Sequence, residues 1–264
     1  MISNVIYFGV DPVIIRFGPL TLSWYGLMVA LAVITVVGWV AWQAKKTGSI
    51  DSDTIFTGAV IGIPSGIIFS KLLHVIDQWR YYLQYPGRII SGEGLTIWGA
   101  VIGATLGVWA YSRISRRFRF TLLGDLIAPG IILAQAIGRI GCTLNGCCYG
   151  IESHAWYAVI YTNPHSYAPV GIPVLPTQVF EIFYDLALFG VLLSLKGKLK
   201  PEGSLFLVYF ALYGAWRFGI EFIREGTPFI FGMHQAQFIG LVVMLVTIPL
   251  IIWRTRWIKQ PAAE

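Results

Sequence analysis

Long apolar runs separated by short polar breaks dominate this chain, and within the runs hydrophobic and polar residues do not alternate. Continuous runs predict helices, because a barrel strand would place a polar residue at every second position. Seven runs, at about 20–42, 55–76, 95–112, 122–141, 178–195, 204–222 and 233–253, approach the length that crosses a bilayer. Hydrocarbon offers backbone N–H and C=O groups no partner, so each spanning segment must satisfy them internally. One stretch, 142–177, stays polar far longer than a connecting loop needs. Its HSYAPVGIPVLP segment, rich in proline and glycine, predicts a folded loop or small cap rather than a helix. The expected fold class is an all-α membrane protein, a single integral membrane domain over 1–264. It has seven transmembrane helices and a small outward-facing head, 142–177, inserted between helices four and five.

Composition agrees. Of 264 residues, 56% are hydrophobic and only 12% charged, with a mean hydropathy of +0.69. A soluble domain carries about a quarter charged residues. The formal net charge of +6 does not point to nucleic acid, because the basic residues gather in one set of loops. Twelve Lys and Arg fall on one side: Lys45 and Lys46, Arg113, Arg116, Arg117 and Arg119, Lys196, Lys198 and Lys200, and Arg254, Arg256 and Lys259. The other side holds four, Arg16, Arg80, Arg88 and Arg224, and 142–177 adds none beyond them. Cytoplasmic loops favour Lys and Arg, so the N-terminus is expected outside, the C-terminus inside, and 142–177 on the outer face. The N-terminal segment lacks a basic start and an Ala-x-Ala end, so no cleaved signal peptide is expected.

Cations within spans then define candidate chemistry, since a charge in hydrocarbon is costly and marks a functional interior by default. Lys71, Arg139 and Arg217 qualify. For Lys71, snorkelling to the headgroups is an equal reading. Arg139 lies in GRIGCTLNGCCYG, 138–150, where glycines let a helix open into a tight turn and let backbone approach a ligand. Its guanidinium fork, with the amide of Asn145 just beyond, suits a phosphate. Tyr213, Arg217, Glu221 and Arg224 stand at i, i+4, i+8 and i+11, which on one continuous helix is a single polar face. Glu221 is expected to hold the arginines in place. The blander alternatives are a glycine-rich helix end with a snorkelling arginine, and an ion pair that locks two helices.

Other positions are less specific. Gly99, Gly103 and Gly107 recur every four residues beside Trp98, as do Gly58, Gly62, Gly66 and Ser70 on the second span. That spacing serves close helix packing. Tyr25 sits near the outer end of the first span, and Gln178 and Glu181 open the fifth with their roles undecided. Cys142, Cys147 and Cys148 lack metal-ligand spacing and form no disulfide framework, so no metal site is expected. His74, His154, His165 and His234 are scattered, with no Ser-His-Asp or HExxH pattern and no nucleotide loop.

Taken together, GRIGCTLNGCCYG, WYGLM at 24–28, GLTIWGAVIG and the Tyr-Gly-x-x-Arg-x-x-x-Glu-x-x-Arg-Glu row at 213–225 resemble the prolipoprotein diacylglyceryl transferase family from about residue 10 to 255. The resemblance implies a seven-helix bundle in the inner membrane of a bacterium. It implies transfer of the diacylglyceryl group of phosphatidylglycerol to the lipobox cysteine thiol in a prolipoprotein signal peptide. The products would be a thioether and glycerol phosphate, and both substrates would enter from the surrounding membrane lipids. Arg139 and Arg217 would bind the lipid phosphate, with Tyr25, Gly99, Asn145, Tyr213, Glu221 and Arg224 around the same cavity. No cofactor is implied. Trp98 stands where some members carry a histidine proposed as catalytic, and tryptophan cannot act as a base. Cys142 replaces the asparagine that often follows Gly-Arg-x-Gly, which shifts weight to Asn145. The proton acceptor stays open among Glu221, a tyrosinate and water. A small transporter is the rival class, but no paired halves are visible in the sequence.

Overall fold

The computed structural model describes residues 5–18, 20–90, 94 and 96–258. Lys259 of the basic loops lies outside the described residues, as do Gly92, Glu93 and Leu95 of the glycine segment. Among the described residues, eight α-helices run in order: α1 Trp24–Thr47, α2 Ser52–Asp77, α3 Trp79–Gln84, α4 Ile97–Ser115, α5 Phe120–Asn145, α6 Thr177–Leu195, α7 Ser204–Ile220 and α8 Gln235–Arg254. Six of them (α1, α2, α5, α6, α7 and α8) are long and apolar enough to cross a membrane. The third expected span corresponds to α4, a 19-residue helix whose last turn contains Arg113. Short strands also occur, so the chain is mostly rather than wholly helical.

Backbone packing divides the chain into two units, Met1–Val36 with Gly124–Glu264, and Val37–Leu123. In the smaller unit α2 packs along α4 through glycines. A Cβ on Gly99 would strike the Phe69 carbonyl, and one on Gly103 would strike the Ser65 carbonyl and Phe69 Cβ. Such contact lets two backbones approach closely. Ser70 Oγ donates to the Thr96 carbonyl at 2.7 Å, and Thr96 Oγ1 donates back to the Ser70 carbonyl at 3.2 Å.

The larger unit has its apolar core where α5, α6 and α7 meet: Ala128 and Ile132, Leu188 and Leu192, Leu205 and Tyr209. The start of α7 is fixed from α5. Asp125 accepts N–H bonds from Gly203 at 2.7 Å and Phe206 at 3.0 Å, satisfying donors that a helix start leaves orphaned. Between α5 and α6 the chain forms strands β4, Val159–Tyr161, and β5, Pro173–Val174. With β1, Ile6–Phe8, they make a sheet in the order β1-β4-β5, β1 running parallel to β4. An antiparallel hairpin, β2 (Val13–Phe17) and β3 (Leu20–Ser23), leads into α1.

Two boundaries differ from the sequence reading in ways that shape the site. α5 continues to Asn145, so Arg139 and Cys142 lie in its last turns rather than at its exit. α7 stops at Ile220, followed by a single 3-10 turn over Glu221–Ile223 and extended backbone at Arg224. The Tyr213–Arg224 row is therefore not one continuous helical face. Tertiary pairing overrides the helical spacing: the Ile151 N–H donates to the Ile223 carbonyl at 3.0 Å, and Gly150 bridges Arg224.

Candidate active site

Three guanidiniums from two helices and the turn beyond one of them meet two buried carboxylates. Glu181, in the second turn of α6, is 1% exposed. Its Oε1 lies 2.8 Å from Arg139 Nη2 of α5, and its Oε2 lies 3.7 Å from Arg217 Nη1 of α7. Tyr213 Oη donates to the same Oε1 at 3.2 Å. Glu221 Oε2 then joins Arg217 Nη2 at 3.2 Å to Arg224 Nη1 at 3.7 Å, with His234 Nδ1 3.7 Å from its other oxygen.

The structure thus brings Arg139, Tyr213, Arg217, Glu221 and Arg224 together, with Glu181 as a further member. Glu221 pairs Arg217 with Arg224, whereas Glu181 pairs Arg139 with Arg217. Sequence spacing ties Glu221 to Arg217 because they are one turn apart; it gives no sign of a partner on another helix. Asp185, one turn beyond Glu181, is fully buried, and neither carboxylate oxygen has a hydrogen-bond partner among the described residues. Tyr209 Oη donates to Gln135 Oε1 at 2.7 Å.

The three arginines outnumber the two glutamates they pair with. Arg217 Nη1, whose contact with Glu181 is too long for a hydrogen bond, and Arg224 Nε are buried without a hydrogen-bond acceptor among the described residues, and Glu221 Oε2 is likewise without a donor there. A buried unsatisfied donor is costly, so these nitrogens mark places where a further acceptor would be stabilised. An anion with several oxygens, such as a phosphate, has that chemistry.

Just past Asn145 the backbone turns at Gly146, whose φ of +73° and contact with Ser166 Oγ leave no room for a side chain. The turn is pinned from α6: Gln178 Nε2 donates to the Cys147 carbonyl and Thr177 Oγ1 to the Cys148 carbonyl, both at 2.7 Å. Tyr161 of β4 donates to the Thr143 carbonyl at 3.2 Å, and burial pushes its hydroxyl up to about 12, which keeps it a proton donor. This turn brings together what spacing leaves apart. The sulfurs of Cys142, Cys147 and Cys148 all lie within 4.8 Å of one another, a group able to hold a soft metal ion. Arg139 Nη1 lies 3.7 Å from Cys142 Sγ.

Tyr25 and Asn145 line a separate open cleft of about 540 Å3, together with Arg16, His165 and Tyr167. Tyr25 belongs to the first turn of α1, where a Cβ on Gly141 of α5 would touch its backbone. Gly99 belongs to the smaller unit and packs on Phe69 and Ser70 there. Trp98 precedes it on α4 and is half-exposed.

A family model described as prolipoprotein diacylglyceryl transferase matches residues 12–253. A protein of Dehalococcoides mccartyi named phosphatidylglycerol--prolipoprotein diacylglyceryl transferase is 53% identical over 255 residues, 97% of this chain and 97% of the relative. Proteins of the same name are similar at greater distance. The one from Clostridium tetani is 34% identical over 90% of this chain and 95% of its own length, and that from Symbiobacterium thermophilum is 32% identical over 96% and 95%.

Proposed function

This chain belongs to the prolipoprotein diacylglyceryl transferase family, and we propose that its arginine network binds the phosphate of phosphatidylglycerol while the diacylglyceryl group passes to a prolipoprotein thiol. The reaction joins the lipobox cysteine sulfur to a glycerol carbon as a thioether and releases glycerol phosphate. It is the first step of lipoprotein maturation. The nucleophile belongs to the substrate, so no Ser-His pair is needed in the enzyme.

The observation that carries this reading is the pair of buried guanidinium nitrogens, Arg217 Nη1 and Arg224 Nε, that have no hydrogen-bond acceptor among the described residues, in the network that also holds Arg139. Phosphate oxygens would satisfy them. As the C–O bond breaks, negative charge grows on the departing phosphate, and arginines fixed by Glu181 and Glu221 meet that charge without reorganising. The same positive field favours thiolate over thiol in the incoming cysteine. Glu181, Glu221 and Tyr213 act by holding the arginines. Tyr25 and Asn145 line the approach, and Gly99 keeps α4 close to α2.

In the arrangement we propose, α4 also crosses the membrane, as the third of seven spans, the protein lies in the bacterial inner membrane, and the segment between α5 and α6 faces outward with the N-terminus. The excess of Lys and Arg in the opposite loops supports that orientation. Both substrates then reach the site from the bilayer and its outer face.

The test is direct. Purified full-length protein is incubated with phosphatidylglycerol and a lipobox peptide, and the peptide mass is read. The wild type should add diacylglyceryl to the cysteine. Arg139→Ala and Arg217→Ala should each lose about 3 kcal/mol of transition-state stabilisation, roughly a hundredfold in rate, while still inserting. Near-normal thioether formation by Arg139→Ala would contradict the proposal.

A further inference from the structure

The reaction needs a proton acceptor for the thiol, and the arginine network is poorly placed to supply one. Glu181 is shared by Arg139, Arg217 and Tyr213, and Glu221 by Arg217, Arg224 and His234. Protonating either carboxylate would strip buried guanidiniums of their partner. Trp98 has no basic atom.

The open cleft beside Tyr25 and Asn145 holds a better candidate, His165 in its wall. His165 Nδ1 lies 3.1 Å from Asp11 Oδ2, across 154 residues of sequence. Asp11 is itself fixed, because its Oδ1 accepts the Val13 N–H at 2.8 Å. That hydrogen bond, followed by the contact with His165, holds its carboxyl below the usual carboxylate range. The backbone of His165 is fixed as well, its N–H donating to Asn163 Oδ1 at 2.9 Å. A carboxylate at Nδ1 selects the tautomer with the proton on that nitrogen, which leaves the lone pair on Nε2.

From this geometry we infer that His165, oriented by Asp11, is the general base that accepts the proton of the substrate thiol. The inference rests on the transferase reading above and names a residue for a step that reading leaves open. His165 and Arg139 are linked through α5: Asn145 in the cleft wall ends the helix that carries Arg139, and a Cβ on Gly141 of that helix would touch the backbone of Tyr25 in the same wall. In the inferred complex the substrate cysteine occupies this cleft, between the imidazole and the end of α5.

In the proposed step the S–H bond breaks and its proton moves to His165 Nε2. The sulfur electron pair forms the S–C bond to the glycerol carbon. The C–O bond to phosphate breaks, its electron pair stays on the departing oxygen, and glycerol phosphate leaves. The imidazolium, stabilised by Asp11, then returns its proton to water at the open cleft. The ion pair is about half exposed, at 53% for the His165 side chain and 45% for Asp11. Exposed pairs add little to stability, so the contact orients the imidazole more than it holds the fold.

The test compares two nucleophiles on full-length protein with phosphatidylglycerol present: a lipobox peptide with cysteine, and the same peptide with selenocysteine, whose selenol ionises without help. His165→Gln should lower turnover of the cysteine peptide about a hundredfold, the usual worth of a general base. With the selenocysteine peptide the loss should shrink to less than about tenfold, and that residual turnover also reports a folded enzyme. Asp11→Asn should show a smaller loss with the same selectivity. Arg139→Ala should lose turnover of both peptides alike. Wild-type rates for His165→Gln on cysteine, or equal losses on both peptides, would overturn the inference. A wild-type protein that modifies neither peptide would instead remove the transferase reading beneath it.

Discussion

Arg139 Nη2 lies 2.8 Å from Glu181 Oε1, and the glutamate is buried to 1% exposure. The guanidinium is thus held by a carboxylate on a neighbouring helix rather than by the water of a membrane surface. Removing one partner of such a pair leaves the other buried and uncompensated, at a cost of about 3–5 kcal/mol. Glu181→Gln should therefore lower thermal stability in detergent by an amount of that order. It should also slow diacylglyceryl transfer by about a hundredfold, because Arg139 and Arg217 lose their shared anchor. A variant with wild-type melting and wild-type turnover would show that the pair neither supports the fold nor positions the arginines.

Tyr213→Phe is a gentler probe of the same carboxylate. The hydroxyl donates to Glu181 Oε1 at 3.2 Å, alongside Arg139. Losing it removes one donor but leaves both guanidiniums in place. Such a hydrogen bond to a charged acceptor contributes about 1.5–3 kcal/mol. Turnover should fall by less than in Glu181→Gln, with the protein still inserted and folded. A loss in Tyr213→Phe larger than in Glu181→Gln would mean that the hydroxyl touches substrate directly.

The helices and the arginines are legible in the sequence because both leave local traces. Apolar runs long enough to span lipid locate α1, α2, α5, α6, α7 and α8, and a charge such as Arg217 stands out within one. What the sequence does not show is which groups meet across elements. Glu181 is visible as a polar residue near a helix start, but its partners lie on α5 and α7. The three cysteine sulfurs converge only because α5 ends in a glycine turn pinned by Gln178 and Thr177. Asp11 and His165 are 154 residues apart and meet through the packing of the N-terminal strands with the segment after α5. The end of α7 escapes local spacing for the same reason, since the pairing of Ile223 with Ile151 leaves no trace there.

Asp125 supports α7 without reaching the arginines. Its two oxygens accept the N–H groups of Gly203 and Phe206, at 2.7 and 3.0 Å. Loss of a capping side chain typically costs about 1 kcal/mol, and up to about 2. Asp125→Ala should lower the melting temperature, and Asp125→Asn, which keeps one acceptor oxygen, should lower it less. Equal melting of Asp125→Ala and the wild type would mean that water replaces the carboxylate at this helix start.

Gly103 and Gly38 separate close packing from helix propensity. An added Cβ at Gly103 would meet the Ser65 carbonyl and Phe69, whereas at Gly38 it would meet nothing within 4 Å among the described residues. Both glycines lie within helices. Replacing glycine by alanine in a helix interior gains roughly 0.5–1 kcal/mol when space is free. Overpacking a tight contact costs about 1–3 kcal/mol. Gly38→Ala should therefore hold or raise the melting temperature, while Gly103→Ala should lower it as α4 is forced off α2. If both substitutions raise it equally, the close approach of α2 and α4 is not a source of stability, and the four-residue glycine spacing on α4 must serve another purpose.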